Sequence, residues 1–137
     1  FHPHPLDWLH ITSSFENVTG KKQNESNLPL IPANKWNNTL QIDFEYSKFF
    51  KNGYTSLNVE HTLNQNNPSQ FETKSNDYTL INLAFGGKVT FGKTTFDVNL
   101  NANNLFDKRY VSHLSRLKTD GIPNSGRNII FGINFVI

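Results

Sequence analysis

The segment 129–137 most constrains what this chain can fold into. Large apolar side chains stand at every second position, and smaller or more polar side chains stand between them. The apolar positions are Ile129, Phe131, Ile133, Phe135 and Ile137. Successive side chains of a strand point to opposite faces of a sheet, so this spacing is typical of a strand. The pattern therefore predicts a final β-strand with one apolar face.

The same alternation recurs upstream and predicts an all-β fold, an antiparallel up-and-down meander of about six strands. The predicted strands cover residues 8–18, 36–48, 54–63, 78–91, 95–104 and 128–137. Asn52-Gly53 and Gly92-Lys93 predict tight turns between strands, because Asn and Gly accept a positive φ. Gly86-Gly87, inside the fourth strand, predicts a bulge or a bend.

The predicted connections alternate long, short, long, short, long. Outer-membrane barrels have this rhythm, with long outer loops and short periplasmic turns. We therefore expect the meander to be part of a large transmembrane β-barrel, with its apolar face toward the lipid bilayer. Aromatic residues near the predicted strand ends would then form girdles at the two membrane interfaces. They are Trp8, Trp36, Tyr46, Phe49, Phe50, Tyr54 and Phe91.

Composition agrees with strands but leaves a second interpretation open. The apolar fraction is only 36%, and polar uncharged residues, including many of the 20 Asn, alternate with the 12 Phe and other apolar residues. This interleaving favours strands over helices. A soluble antiparallel sheet, with one face on a core and the other in water, shows the same alternation. The alternative function is therefore a soluble extracellular β-sheet domain that binds carbohydrate or protein.

Several classes of protein are disfavoured by what the sequence lacks. No run approaches the roughly 18 apolar residues of a membrane-spanning helix, and no signal peptide is evident. The chain has no Cys, and a net charge of +2 is too small to argue for nucleic acid as a partner. Because the chain contains no Met and begins with Phe1, we expect a mature product or a fragment.

Four segments, in order, resemble TonB-dependent outer-membrane receptors. The clearest is N-L-F-D-K-R-Y at residues 104–110, which is similar to a box near the C-terminus of those receptors. The others are L-P-L-I-P-A-N at 28–34, E-T at 72–73 with Y-T-L-I-N-L at 78–83, and H-L-S-R-L-K at 113–118 with G-R-N at 126–128. In detail they look most like receptors of Bacteroidetes-type bacteria. Two departures are that Ile137, not an aromatic residue, is last, and that six strands cannot close a large barrel.

The resemblance implies a barrel of about 22 strands that surrounds a plug domain. Residues 1–137 would be a C-terminal segment of that barrel, without the plug, in the outer membrane of a Gram-negative bacterium. The whole receptor would take up a scarce extracellular ligand such as an iron–siderophore, haem, cobalamin or another metal chelate. Energy would come from periplasmic TonB acting on the plug. An isolated fragment would be expected to self-associate through its open strand edges.

No catalytic motif is present, so we expect a transporter rather than an enzyme, with no cofactor or metal site of its own. His113, in the last long connection, is the candidate ligand-binding residue, either as a ligand of a metal or haem or simply as a solvated residue. His2 and His4 belong either to a metal tract or to an unordered terminus. His61 is expected at the headgroup level or at a contact between strands. The N-L-F-D box is expected to form a turn, with Phe106 and Tyr110 as anchors at the outer interface.

Overall fold

The computed structural model describes residues 6–135 of the chain. Six strands form one antiparallel sheet, in which each strand pairs with its neighbours in chain order. The strands are β1 (Leu9–Glu16), β2 (Lys35–Phe44), β3 (Phe50–Thr62), β4 (Tyr78–Phe91), β5 (Thr94–Asn103) and β6 (Asn128–Phe135). The predicted all-β meander of about six strands is therefore confirmed. Residues 1–5 and 136–137, which include the predicted histidine tract and the last two positions of the final strand, lie outside the described residues.

The register places most of the large apolar side chains of the six strands on one face, which we call the apolar face. Directly paired residues form a row across the sheet from Ile11 through Leu40, Leu57, Leu83 and Ala102 to Ile129. A second row runs from Leu9 through Ile42, Thr55, Phe85 and Leu100 to Phe131. Directly opposed side chains are the closest neighbours across an antiparallel pair. The alternation seen in the sequence thus becomes one continuous apolar surface.

Nothing within residues 6–135 covers this apolar face. Phe131 is 64% exposed and Ile129 is 63% exposed. The two buried apolar side chains of the described residues, Tyr78 and Leu80, belong to the opposite face. A sheet with one uncovered apolar face has no hydrophobic core on that side.

The opposite face, which we call the polar face, carries a ladder of side-chain hydrogen bonds. The Asn58 amide donates to Thr39 Oγ1 at 3.0 Å, and the Asn82 amide donates to Asn58 Oδ1 at 3.0 Å. Asn82 Oδ1 then accepts the backbone N–H of Asn104 at 2.9 Å. Amide side chains both donate and accept, so they can link neighbouring strands in this way. The ladder connects the centre of the sheet to the start of the connection that follows β5.

The connections divide the sheet into two different ends. Three long connections lie at one end of the strands, which we call the long-loop end: 17–34, 63–77 and 104–127. Two short connections lie at the other end, the short-turn end: 45–49 and 92–93. Gly92 has φ +64°, as a tight hairpin turn requires, which confirms the turn predicted at Gly92-Lys93.

The turn predicted at Asn52-Gly53 is wrong, because these residues form a β-bulge inside β3. Lys51 pairs with Lys88 and Tyr54 pairs with Gly86, so Asn52 and Gly53 together oppose one residue of β4. Asn52 has the positive φ of 48° that the Asn-Gly pair suggested. The actual turn precedes β3 at residues 45–49.

Ser47 forms the turn between β2 and β3. Its hydroxyl accepts the backbone N–H groups of Phe49 and Phe50, each at 3.2 Å. Serine hydroxyls commonly bond to the backbone a few residues ahead and so close a turn. This local bond leaves the Asn-Gly pair available for the bulge.

Gly86 and Gly87 face that bulge and make room for aromatic rings on both faces. A Cβ atom at Gly86 would lie 2.7 Å from the Tyr54 ring, and one at Gly87 would lie 2.6 Å from the Phe50 ring. The predicted irregularity at this point therefore lies in the facing strand β3. Tyr54 lies over Gly86 on the polar face, so it does not belong to a lipid-facing aromatic girdle.

Candidate ligand-binding cleft at the long-loop end

The three long connections contact one another at the long-loop end. The Gln65 amide donates to the carbonyl oxygens of Ile31 at 3.2 Å and Pro32 at 3.1 Å. These bonds tie the 63–77 connection to the 17–34 connection. Side chains of the 104–127 connection reach the 63–77 connection in turn. The segments that resembled one family at separate places in the sequence thus meet in space.

Glu72 also joins the first two connections. Its Oε1 accepts the backbone N–H of Leu30 at 2.8 Å, and its Oε2 accepts the Ser69 N–H at 3.0 Å and the Ser69 hydroxyl at 2.8 Å. The bond from the Leu30 N–H, followed by those from Ser69, lowers the pKa of Glu72 below its ordinary value of 4.5. Leu30 has a positive φ of 61°, so the carboxylate holds a backbone conformation that leucine rarely adopts.

Asn104 fixes the start of the 104–127 connection and is only 4% exposed. Its amide donates to the Lys108 carbonyl at 2.9 Å, and its Oδ1 accepts the Lys108 N–H at 2.8 Å. Asp107 Oδ1 accepts the Arg127 N–H at 2.8 Å and so holds the start of β6. Both Asn104 and Asp107 have positive φ, at 51° and 55°. The turn predicted for the N-L-F-D box is confirmed.

His113 belongs to the third connection, and its side chain is buried, with 8% of it exposed. Its Nδ1 lies 2.8 Å from the Ser75 hydroxyl and 3.1 Å from the Lys118 Nζ. The Lys118 ammonium also donates to the Thr73 carbonyl. Because an ammonium group can only donate, Nδ1 acts as the acceptor, which places the proton of neutral His113 on Nε2. These contacts fasten the 104–127 connection to the 63–77 connection.

The His113 environment favours the neutral imidazole. Burial, and then the nearby Lys118 charge, lower the pKa of His113 below 6.5, whereas Glu72 acts in the opposite direction. Burial also lowers the pKa of Lys118. The Ser75–His113 distance is one at which a base can activate a nucleophile. Lys118 occupies the same nitrogen, however, so that nitrogen is engaged by a cation and is poorly placed to take the Ser75 proton.

A cleft of about 500 Å³ opens between the second and third long connections. This volume is within the range of roughly 300–1,000 Å³ that is usual for small-molecule sites. Four basic residues and one acidic residue line it: Lys74, Lys108, Arg109, Lys118 and Asp77. Among residues 6–135, none of the four basic side chains forms an ion pair with a carboxylate. The cleft therefore carries an excess of positive charge.

Two tyrosines form the apolar part of this cleft. The rings of Tyr78 and Tyr110 lie 4.5 Å apart between centroids, at an angle of 35°. Burial, followed by the neighbouring Tyr78, raises the pKa of Tyr110 above 10.0, so the phenol stays neutral at physiological pH. Tyr78 is buried on the polar face at the start of β4. Tyr110 therefore packs against Tyr78 as a wall of the cleft, and its predicted role as an interfacial anchor stays a prediction.

The other residues singled out from the sequence lie elsewhere. His61 donates to or accepts from Thr79 Oγ1 at 2.8 Å on the apolar face, which is the predicted contact between strands. Phe106 is exposed at the long-loop end.

The candidate His113 contacts two lining residues, Ser75 and Lys118, from behind the cleft. Its burial contradicts the interpretation of His113 as a solvated residue. In the described part of the chain, no three His, Cys, Asp or Glu side chains come together to hold a metal ion.

A second cleft, of about 550 Å³, lies at the short-turn end between Trp8 and Tyr54. Three acidic residues line it: Asp7, Asp43 and Glu45. Asp43 accepts from Gln41 Nε2 at 2.8 Å and lies 2.6 Å from His10 Nε2, so the sheet satisfies this central acid with its own side chains. The cleft at the long-loop end, with its uncompensated cations, is therefore the stronger candidate site.

Sequence reasoning missed this basic cleft. Lys108-Arg109 was visible as a basic pair inside the N-L-F-D-K-R-Y box, but Lys74 and Lys118 lie far from it along the chain. Only the docking of the two connections brings them together.

Comparison of this chain with protein-family models and with curated proteins finds no match. Its function is therefore inferred from the sheet, the connections and the cleft themselves.

Proposed function

We propose that this chain is a C-terminal part of the β-barrel of a TonB-dependent outer-membrane receptor. The whole receptor takes up a scarce ligand such as an iron–siderophore, haem, cobalamin or another metal chelate. The chain contributes barrel wall and outer loops, and periplasmic TonB would act through a plug domain elsewhere in the receptor.

The observation that carries this proposal is the bare apolar face of all six strands. Exposed apolar patches of more than a few hundred Å² are rare on soluble monomers and mark contact with a membrane or a partner. Here the apolar rows run across the whole sheet, from Ile11 in β1 to Ile129 in β6. A lipid bilayer suits a continuous apolar face that is opposed by a face rich in Asn, Thr and Ser.

Strand length and edges support the same proposal. A tilted strand needs roughly 9–11 residues to cross a bilayer, and β2 and β5 have 10 residues each. Within the described residues, β1 pairs only with β2 and β6 pairs only with β5, which leaves both outer edges of the sheet open. Open edges of this kind fit neighbouring strands of a larger barrel, because closure removes exposed edges.

The test uses two adjacent positions of β6 that point to opposite faces. The chain has no Cys, so Ile133→Cys and Asn134→Cys each introduce one site for an environment-sensitive fluorophore. With the full chain in phospholipid vesicles, we expect blue-shifted emission at position 133 that nitroxide lipids quench, and little quenching at position 134. Equal quenching at both positions, or a stable monomer without lipid or detergent, would contradict the proposal and favour a soluble β-sheet domain.

The receptor assignment itself has a separate test. We expect the coding sequence that precedes Phe1 in its gene to encode a plug domain, and disruption of that gene to abolish uptake of one metal chelate. An intact uptake profile across iron–siderophores, haem and cobalamin would count against the assignment.

A further inference from the structure

We propose that the basic cleft at the long-loop end binds a small, diffusible polyanion through carboxylate or phosphate groups. This inference rests on the proposed function for its biological role, since it gives the chemical class of ligand that the outer loops would meet. The binding itself depends only on the cleft.

Charge is the first reason for an anionic ligand. Lys74, Lys108, Arg109 and Lys118 converge on one cleft from two connections that are far apart in sequence. Like charges brought together repel one another, and burial makes the charged form of Lys118 less favourable still. A bound anion would relieve both effects, and Arg109 can engage a carboxylate or phosphate with two parallel hydrogen bonds.

The construction of the cleft is the second reason. Asn104 holds the Lys108 backbone, and the Lys118 ammonium bonds to His113 and to the Thr73 carbonyl. The walls are therefore held without the side-chain charges of Lys74, Lys108 and Arg109. Lys74 and Arg109 are exposed, so they stay available for a ligand. Preorganised walls reduce the ordering cost of binding.

The position of the cleft favours a diffusible ligand over a lipid headgroup. Tyr78, which forms part of the cleft, projects from the polar face, as do its paired neighbour Thr62 and the nearby Leu80. The apolar face, where lipid would lie, is on the other side of the sheet. A soluble polyanion reaches the cleft from water, whereas a lipopolysaccharide phosphate would have to cross the rim of the sheet.

Calorimetric titration of the full chain in nonionic detergent tests the proposal, with pyrophosphate and citrate as probes and maltose as the neutral control. We expect saturable binding of at least one anion, weaker at high salt, and no binding of maltose. The double variant Lys74→Gln/Arg109→Gln should bind the anion roughly tenfold more weakly, because each lost contact is a charge-assisted hydrogen bond.

The matched control is Lys21→Gln/Lys22→Gln, which removes the same charge from the 17–34 connection at the same end of the sheet. Both lysines are exposed and lie outside the cleft. Unchanged anion binding by this control supports the assignment to the cleft. Equal weakening by both double variants, or no saturable binding by the unmodified chain, overturns it.

Two further outcomes separate this inference from its alternatives. Lipopolysaccharide that competes fully with pyrophosphate would overturn the diffusible ligand in favour of a lipid headgroup, and continued pyrophosphate binding in its presence supports the proposal. If anions bind in the cleft while positions 133 and 134 show equal quenching in vesicles, the cleft assignment stands and the receptor proposal fails. If quenching separates the two faces but no anion binds, only the cleft assignment fails.

Discussion

The apolar face of the sheet is bare along all six strands, whereas the polar face is built over at one end by connections fastened to it and to one another. Ile129 and Phe131 project from the first face without any contact that buries them. Tyr78 and Leu80, on the second, are covered. The difference shows that the connections of this chain bury side chains on one face only, and that the large apolar side chains of the other face stay exposed.

A charge in the middle of the apolar face should have the largest effect. Leu57 lies near the centre of β3, in the row between Leu40 and Leu83. If the face contacts lipid, Leu57→Arg should reduce the free energy of folding into vesicles by about 2–4 kcal/mol, the cost of a cation at the bilayer midplane. Urea unfolding of vesicle-inserted chain measures this.

The matched control for that substitution is the adjacent Ser56, which pairs with Gln41 and Ala84 on the polar face. Ser56→Arg places the same charge at the same height but on the face that we expect to contact water. Its cost should be clearly smaller. Equal costs for the two arginines would remove the distinction between the faces.

Removal of the Asn104 side chain should have the next largest effect, on the covered face. Asn104→Ala leaves the N–H and carbonyl of Lys108 without partners, and it also places alanine at a φ of +51°. Loss of a buried hydrogen-bonding group costs about 1–3 kcal/mol. Denaturant unfolding should show this loss, and Asn103→Ala, at the exposed neighbouring position, should show much less.

The stability of the covered end should depend on pH through His113. Its pKa is lowered in the folded protein, chiefly by burial, so an unfolded chain takes up the proton first as the pH falls. The His113 contribution to the free energy of unfolding is therefore complete above pH 6.5 and is lost as the pH falls through the folded-state pKa. His113→Gln should flatten the stability profile in this window.

Protection factors from amide hydrogen exchange of the 104–127 connection, measured between pH 7.5 and 5, report the effect. The control His61→Gln replaces a histidine on the apolar face that contacts Thr79. The protection factors of that variant should keep their pH dependence. A dependence that survives in His113→Gln would assign it to another group.

Glu72 should give the smallest effect, at lower pH. The N–H groups of Leu30 and Ser69 lower its carboxyl pKa below 4.5, so its contribution is present above that value and is lost as the pH falls through the folded-state pKa. Limited proteolysis of the 17–34 connection should accelerate in that range, and Glu72→Gln should be cleaved faster already at pH 7. Glu25→Gln, an exposed change in the same connection, should leave the cleavage rate unchanged.

The sequence determined the six strands and the face on which each side chain lies. Alternation is a local property of an extended backbone, so the face of each strand that carries the apolar side chains follows from a period of two without knowledge of the neighbouring strands. The turn at Gly92 and the turn in the N-L-F-D box also followed from local backbone chemistry.

Only the tertiary structure decided the role of Asn52-Gly53, the burial of His113 and the existence of the cleft. A positive φ suits both a hairpin turn and a bulge, and the choice depended on the Ser47 turn and on the room above Gly87. Lys74 and Lys118 meet because the 63–77 and 104–127 connections dock over the polar face, and contacts between distant segments leave no periodic signal in the sequence.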